Sequence, residues 1–368
     1  MSKRRILPDY SIIVIVTFLA VLGLLVSVKI FADVSQKQFN NSTYYLFHQL
    51  FYGFLPGIIM GFIFYKAPLD FIKKWSWLFV LISLFLMCLV FIPGLGISSN
   101  GASRWISFGR FTFQPSEILK LTFLIYLSAL LAKNTSNKKE KKWQLTLFPF
   151  LVILGLLILL LYFQSDLSTL GVIALSAMIM YFCSETPLWH TLLISFLGAV
   201  SFLILIVTSP YRMERISVLL GWIRDPLGIG YQTNQTLIAI GSGGILGLGL
   251  ELSPLSNFIP HLMSDSIFAE ISRDLGLIGG ILIIFLYLAL LWRGFRIANN
   301  VNDKFSQLLS IGLVSWICFQ AFVNIGAMIK IFPLTGIPLP FISYGGSHIV
   351  AELAAVGLLL NISKQEKR

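Results

Sequence analysis

Residues 11–31 read SIIVIVTFLAVLGLLVSVKIF, a run in which Lys29 is the one charged residue. Wound as an α-helix at about 1.5 Å per residue, it reaches the roughly 30 Å thickness of a bilayer's hydrocarbon core. Runs of this kind recur to the far end of the chain. They predict about ten membrane spans, near 11–31, 46–65, 75–96, 115–132, 145–163, 167–184, 187–208, 267–292, 306–330 and 343–362. Few residues are left between most of them, so 1–368 reads as a single integral membrane domain. The composition agrees, because 57% of residues are hydrophobic and 12% charged, against roughly a quarter charged in a soluble domain. Lys3-Arg4-Arg5 before the first run is like the start of a signal peptide. The run is too long for one, however, and lacks a small-x-small cleavage site, so it reads as a retained anchor. Cys88, Cys183 and Cys318 each fall inside a predicted span without metal-ligand spacing and read as packing residues.

The net charge of +11 would suit nucleic acid, but the basic residues are sorted by side of the membrane. Lys3, Arg4, Arg5, Lys66, Lys73, Lys74, Lys133, Lys138, Lys139, Lys141, Lys142, Arg293, Arg296, Lys304, Lys364, Lys367 and Arg368 all fall at one side of the predicted spans. By the positive-inside rule that side, with both termini, is cytoplasmic. Anionic lipid headgroups account for the basic run 138–142, and nucleic acid is not needed to explain it.

The unusual residues gather in the interruptions on the other side. Residues 97–113 lead into Gln114-Pro115-Ser116-Glu117-Ile118-Leu119-Lys120, with a proline where a first helical turn tolerates one. Glu117 and Lys120 share a helix face. They are either a neutralised pair that orients helices or part of a binding site, since charges at this depth are functional candidates. Asp166, in the tight turn 164–169, is either a helix cap or a carboxylate facing an external cavity. The long connection 209–266 reads as a large extracytoplasmic loop with short or re-entrant helices between the seventh and eighth spans. Its Arg212, Arg215 and Arg224 suit either a diphosphate or ion pairs with Glu214 and Asp225. YQTNQTLIAIGSGG (231–244) reads as an amphipathic helix ending in a glycine hinge, with a phosphate cradle as the weaker alternative. Asp265, before the eighth span, is a cap or a catalytic carboxylate. Asn324 and the segment PLTGIPLPFISYGGS (333–347) break regular helix at membrane depth, which is tolerated only inside protein or along a wet cavity.

Together NGASRWISFGRFTFQPSEILK (100–120), QSDLST (164–169), YQTNQTLIAIGSGG, the Asp265 region and PLTGIPLPFISYGGS resemble the SEDS family (shape, elongation, division and sporulation) of FtsW/RodA type. The run Gly247-Leu248-Gly249-Leu250-Glu251-Leu252-Ser253 is similar to that of the division branch. The resemblance implies an all-α polytopic fold with ten spans. It also implies a peptidoglycan glycosyltransferase that polymerises lipid II, beside a class B penicillin-binding protein and other division proteins. It makes Asp265 the catalytic residue. The substrate-binding candidates are Arg104, Gln114, Glu117, Lys120, Asp166, Arg212, Arg215, Tyr231, Gln235, Asn324 and Ser343. The resemblance points to no certain cofactor; a divalent cation, Mg or Mn, could share the diphosphate charge. The sequence departs from the family at Ser165, where proline is usual, at 260–268, and at Arg273 and Asp274, where paired glutamates are frequent. A lipid II flippase and a non-catalytic division scaffold are the alternative functions.

Overall fold

The computed structural model describes residues 7–99, 102–108, 111–136, 147–185, 187–222, 230–249 and 263–366. The chain begins with α1 (Tyr10–Phe39), α2 (Tyr44–Gln49), a π-helical turn (Leu50–Phe54), α3 (Leu55–Lys66) and α4 (Leu69–Leu89). Three strands follow, β1 (Gly96–Ser99), β2 (Ala102–Phe108) and β3 (Phe111–Phe113), then α5 (Pro115–Ser136), α6 (Leu147–Phe163), α7 (Leu167–Phe182) and α8 (Leu188–Val207). The last part holds α9 (Pro210–Leu219), α10 (Tyr231–Ser242), α11 (Ile267–Asn300), α12 (Lys304–Met328) and α13 (Gly346–Ser363).

Among the described residues eight helical segments are long and apolar enough to cross a membrane. The fifth and sixth predicted spans are occupied by α6 and α7, which are apolar and show 17 and 16 described residues. The protein is therefore a helical, multi-pass membrane protein. Among the described residues its one departure from all-α architecture is the antiparallel meander β1-β2-β3, around the connection 97–113. Trp105 pairs with Ile97 and Ile106 with Phe113 there.

Helix starts follow local chemistry. The Asp9 carboxylate accepts the Ser11 N–H at 2.9 Å, and Asp303 accepts that of Ser306 at 3.0 Å, each satisfying a donor that a helix start leaves unpaired. Pro115 opens α5 as expected. Both described ends of the chain lie at one end of the bundle, where the Asp9 N–H donates to Ser363 Oγ at 3.0 Å and Arg293 pairs with Asp9.

Burial separates centre from rim. The apolar windows of α5, α12 and α13 are 78, 83 and 72% buried, against 11% for α8, whose Phe196, Phe202 and Leu203 point outward. Such faces have lipid as their solvent. Where helices meet closely they do so through small residues, as membrane helices must when packing alone holds them. A Cβ on Gly357 of α13 would lie 2.1 Å from the Gly61 carbonyl oxygen of α3. Gly357→Val is expected to destabilise the protein by about 2–3 kcal/mol, read as a lowered melting temperature in detergent, with Gly155→Ala, which meets nothing within 4 Å, as the neutral control.

The helix α11 is broken at Gly276, whose φ of 67° and ψ of −165° are not helical. Carbonyls freed at the break are met by the glycine-rich hairpin 243–249. The Leu248 N–H donates to Arg273 O at 3.0 Å and the Gly249 N–H to Asp274 O at 3.1 Å. In return the Leu277 N–H donates to Gly244 O at 2.9 Å.

Candidate active site

Between α12 and α13 the chain runs as an irregular strap, 329–345, whose prolines and glycines forbid a helix. At this depth each backbone polar group needs a partner, and side chains supply them in turn. Leu334 O accepts from Arg215, and Thr335 O from Ser168 Oγ at 2.8 Å. Asn324 Nδ2 donates to Ile337 O at 2.7 Å, Gln320 Nε2 to Pro338 O at 3.1 Å and the Tyr287 hydroxyl to Pro340 O at 2.6 Å. The Leu339 N–H reaches Ser343 Oγ at 2.8 Å and the Phe341 N–H reaches Glu352 Oε2 at 2.8 Å. The strap is thus a rigid wall built by side chains from α7, α9, α11, α12 and α13.

Asp265 stands against that wall. Its Oδ2 lies 3.9 Å from where a Cβ would be on Gly336, a residue at φ +69°. A left-handed conformation beside a carboxylate favours glycine. Gln232 Nε2 of α10 approaches Oδ2 at 3.4 Å, and Ser264 Oγ donates to Oδ1 at 3.0 Å. The residue is 6% exposed. It does not cap α11, whose N-cap is Ser266, so the capping role considered for it from sequence is not the one it has. Its own carbonyl accepts from Asn324 Nδ2 at 2.8 Å, and Ser343 Oγ donates to the preceding Ser264 carbonyl. Asn324 and Ser343 therefore brace the backbone on either side of the carboxylate. Asn324→Ala removes two buried hydrogen bonds at once. We expect turnover to fall about tenfold or more with KM little changed, because misplacement of the carboxylate acts on the reacting geometry.

The charged candidates separate into two groups. Glu117 and Lys120 pair at 2.7 Å and are 2% and 1% exposed. Lys120 Nζ also donates to Gln320 Oε1 at 2.7 Å, and Gln320 Nε2 reaches Glu352 Oε1 at 3.2 Å. This buried chain ends at the strap and fixes α5, α12 and α13 to it. Asp166 caps α7, accepting from Thr169 N at 3.4 Å and Thr169 Oγ1 at 2.9 Å; Ser116 Oγ lies 3.4 Å from it. Gln114 joins the same corner, with its N–H on Ser347 Oγ at 3.0 Å.

Arg104 of β2 holds the turn after α6 by donating to the Gln164 carbonyl at 3.2 Å and to that of Ser165. Ser165 has φ +56°, a conformation a proline ring forbids. Arg215 donates to Leu334 O and the Tyr211 hydroxyl, which places its guanidinium two residues along the strap from the glycine facing Asp265. Arg212 donates to Leu205 O at 2.7 Å with its guanidinium 5.7 Å from the Tyr162 ring centroid. Burial lowers the pKa of Arg212 from its usual value. Tyr231 and Gln235 are half-buried on α10. The structure thus gathers Asp265, Asn324, Ser343 and Arg215 around the strap, while Glu117 and Lys120 lie inside the bundle. Arg224 lies outside the described residues. Among the described residues no three His, Cys, Asp or Glu gather as a metal site.

Spacing alone did not single out two features. Gln232 contacts Asp265, and its signal is only its place on the polar face of YQTNQT. A second buried ionic cluster, Glu270, Arg273, Asp274 and Lys29, sits at the break in α11. Arg273 pairs with Glu270 and lies 3.4 Å from Asp274, and Lys29 of α1 lies 3.6 Å from Asp274. The glycines 243 and 247 serve this junction. A Cβ on Gly247 would meet Asp274 O at 2.2 Å and one on Gly243 would meet Ser272 O at 2.3 Å, so they permit backbone approach.

Known proteins share this fold. Residues 10–368 match the FtsW, RodA and SpoVE family model, described as Cell cycle protein. Stage V sporulation protein E of Bacillus subtilis is 35% identical over 368 residues, covering 100% of each chain. Probable peptidoglycan glycosyltransferase FtsW of Geobacter sp. is 32% identical, covering 96% of each. A chain of a solved peptidoglycan synthase complex superposes with a TM-score of 0.76 at 25% identity, over 97% of both chains. Rod shape determining protein RodA of Thermus thermophilus has the same fold, with a TM-score of 0.71 at 23% identity over 98% of both chains. By these matches over nearly its whole length, this chain belongs to the FtsW, RodA and SpoVE family of cell cycle proteins, the SEDS family.

Proposed function

We propose that this protein is a peptidoglycan glycosyltransferase that polymerises lipid II into glycan strands. The observation that carries the reading is Asp265, a nearly buried carboxylate held against a rigid strap, in a chain whose relatives include named peptidoglycan glycosyltransferases. Asp265 accepts the proton of a sugar 4-hydroxyl as that oxygen attacks the anomeric carbon of the lipid-linked chain. The bond from that carbon to the diphosphate breaks, the configuration inverts from α to β, and undecaprenyl diphosphate leaves. Arg215 and Arg212 supply positive charge toward the leaving diphosphate. Asn324 and Ser343 position the base, and Tyr231, Gln232 and Gln235 present the polar face of α10 to the acceptor. Glu117, Lys120, Asp166, Arg104 and Gln114 support the walls.

The basic end of the bundle, with both termini, faces the cytoplasm, and the strap end faces outside the bacterial cytoplasmic membrane. The whole chain works as one membrane domain, with 209–266 as its outer loop. A class B penicillin-binding protein is the partner, in keeping with the synthase complex to which the fold is similar. Cell division is the proposed setting, and the 35% identity to a sporulation protein makes spore wall synthesis the alternative. The test is to incubate the purified protein, with and without the partner transpeptidase, with labelled lipid II and to separate the products by length. Glycan ladders support the proposal. Lipid II moved across a bilayer without any polymer in either mixture would overturn it in favour of transport.

A further inference from the structure

The end of the bundle that carries the chain termini has a cavity of its own. It has a volume of about 640 Å³ and lies between the first turns of α4 and the last of α5, with Lys73, Lys74, Trp77, Tyr126, Leu130 and Lys133 in its wall. Its charge is unbalanced. Lys73 Nζ is 3.8 Å from Asp303 Oδ1, and the other oxygen of Asp303 is engaged as the cap of α12 by Ser306 N and Oγ at 3.0 and 2.8 Å. Among the described residues Lys74 and Lys133 form no ion pair. Among the described residues, at least two positive charges therefore face one hollow without a protein anion.

The surroundings decide which anion fits. Trp77, Leu81 and Phe85 follow at successive turns of α4 and are 51, 50 and 64% exposed, so an apolar stripe leads from the cavity along the lipid-facing side of the helix. Tyr126 and Trp77 are the residue types that settle at the headgroup level. Lysine is a compact charge suited to phosphate, and basic hollows between membrane helices take acidic headgroups. A soluble anion would use the lysines alone, whereas a phospholipid would use the lysines with its headgroup and the adjoining lipid-facing stripe with its acyl chain. We propose that this cavity is a binding site for an acidic phospholipid of the adjoining leaflet, with its phosphate among Lys73, Lys74 and Lys133 and an acyl chain along Trp77, Leu81 and Phe85.

The full-length protein in nanodiscs is irradiated with a phosphatidylglycerol carrying a photoreactive acyl chain, with a phosphatidylcholine probe as reference, and the labelled peptides are mapped. Phosphatidylglycerol should label residues 77–85 and 126–133 in clear excess over phosphatidylcholine. The K73Q/K74Q/K133Q variant should lose that excess by about tenfold or more. K73R/K74R/K133R should keep it, and Ala129→Trp should reduce it by filling the hollow with the charges intact. Labelling should survive millimolar inorganic phosphate. Equal labelling by the two probes, an excess that persists in both the glutamine and tryptophan variants, or full displacement by inorganic phosphate would each overturn the proposal.

Discussion

Replacing Asp265 by asparagine is expected to slow lipid II polymerisation by about 10²–10⁴-fold, the usual share of a general base, while leaving the fold in place. The physical case for a clean result is that asparagine has the same shape. Its oxygen can still accept from Ser264 Oγ, now 3.0 Å from Oδ1. The Gln232 amide can turn to receive its NH₂ group in place of Oδ2 at 3.4 Å. The braces from Asn324 and Ser343 act on backbone carbonyls and do not involve the carboxylate. The variant therefore isolates charge and basicity from packing. Initial rates with purified lipid II, paired with melting curves in detergent, make the measurement. A folded variant with the wild-type rate would remove Asp265 from the reaction.

The second large effect is on stability and lies at the buried ionic cluster beside the break in α11. Arg273 is fully buried, as is Glu270, and Asp274 is 1% exposed. Among the described residues, Arg273→Met would leave those two carboxylates with only Lys29, 3.6 Å from Asp274, to offset them. Removing one partner of a buried ionic group typically costs about 3–5 kcal/mol, since the remaining charge is desolvated and unpaired. Arg273→Met is therefore expected to melt well below the wild type. The double variant Arg273→Met with Glu270→Met restores charge balance through Lys29 and Asp274, and should regain most of the loss. An unchanged melting temperature in the single variant would mean that these charges are not coupled. The cluster joins α1 to the short helix that begins just after Asp265, so the double variant also measures how far that junction sets the polymerisation rate.

Several parts of the structure were legible from local pattern. The run 11–31 and its successors specify the solvent, because a stretch of about 20 apolar residues has no other stable surroundings. Pro115 marked the start of α5, and the proline and glycine content of 333–347 marked a wall that could not be helix. The spacing of Glu117 and Lys120 foretold their pairing, which both side chains make at 2.7 Å. Other parts were not legible. The meander at 96–113 gave no alternation strong enough to read, and α7 is shorter than the span expected for it. The glycines of 243–249 had the look of a hinge, yet their close approach to Ser272 and Asp274 depends on a break 30 residues further along the chain.

The sequence by itself determined that this protein lives in lipid, which stretches of it form the spans and which interruptions hold the charges, although α4 begins at Leu69 and ends at Leu89 where 75–96 was expected. Periodicity and capping act between residues a few positions apart, so spacing records them. Only the tertiary structure decided that Lys120 is tied through Gln320 to Glu352 inside the bundle, that Arg215 lies on the strap, and that Gln232 reaches Asp265. Those contacts join segments far apart in the chain. They form because a buried polar group in a membrane protein takes whichever partner the packing of the helices brings within reach.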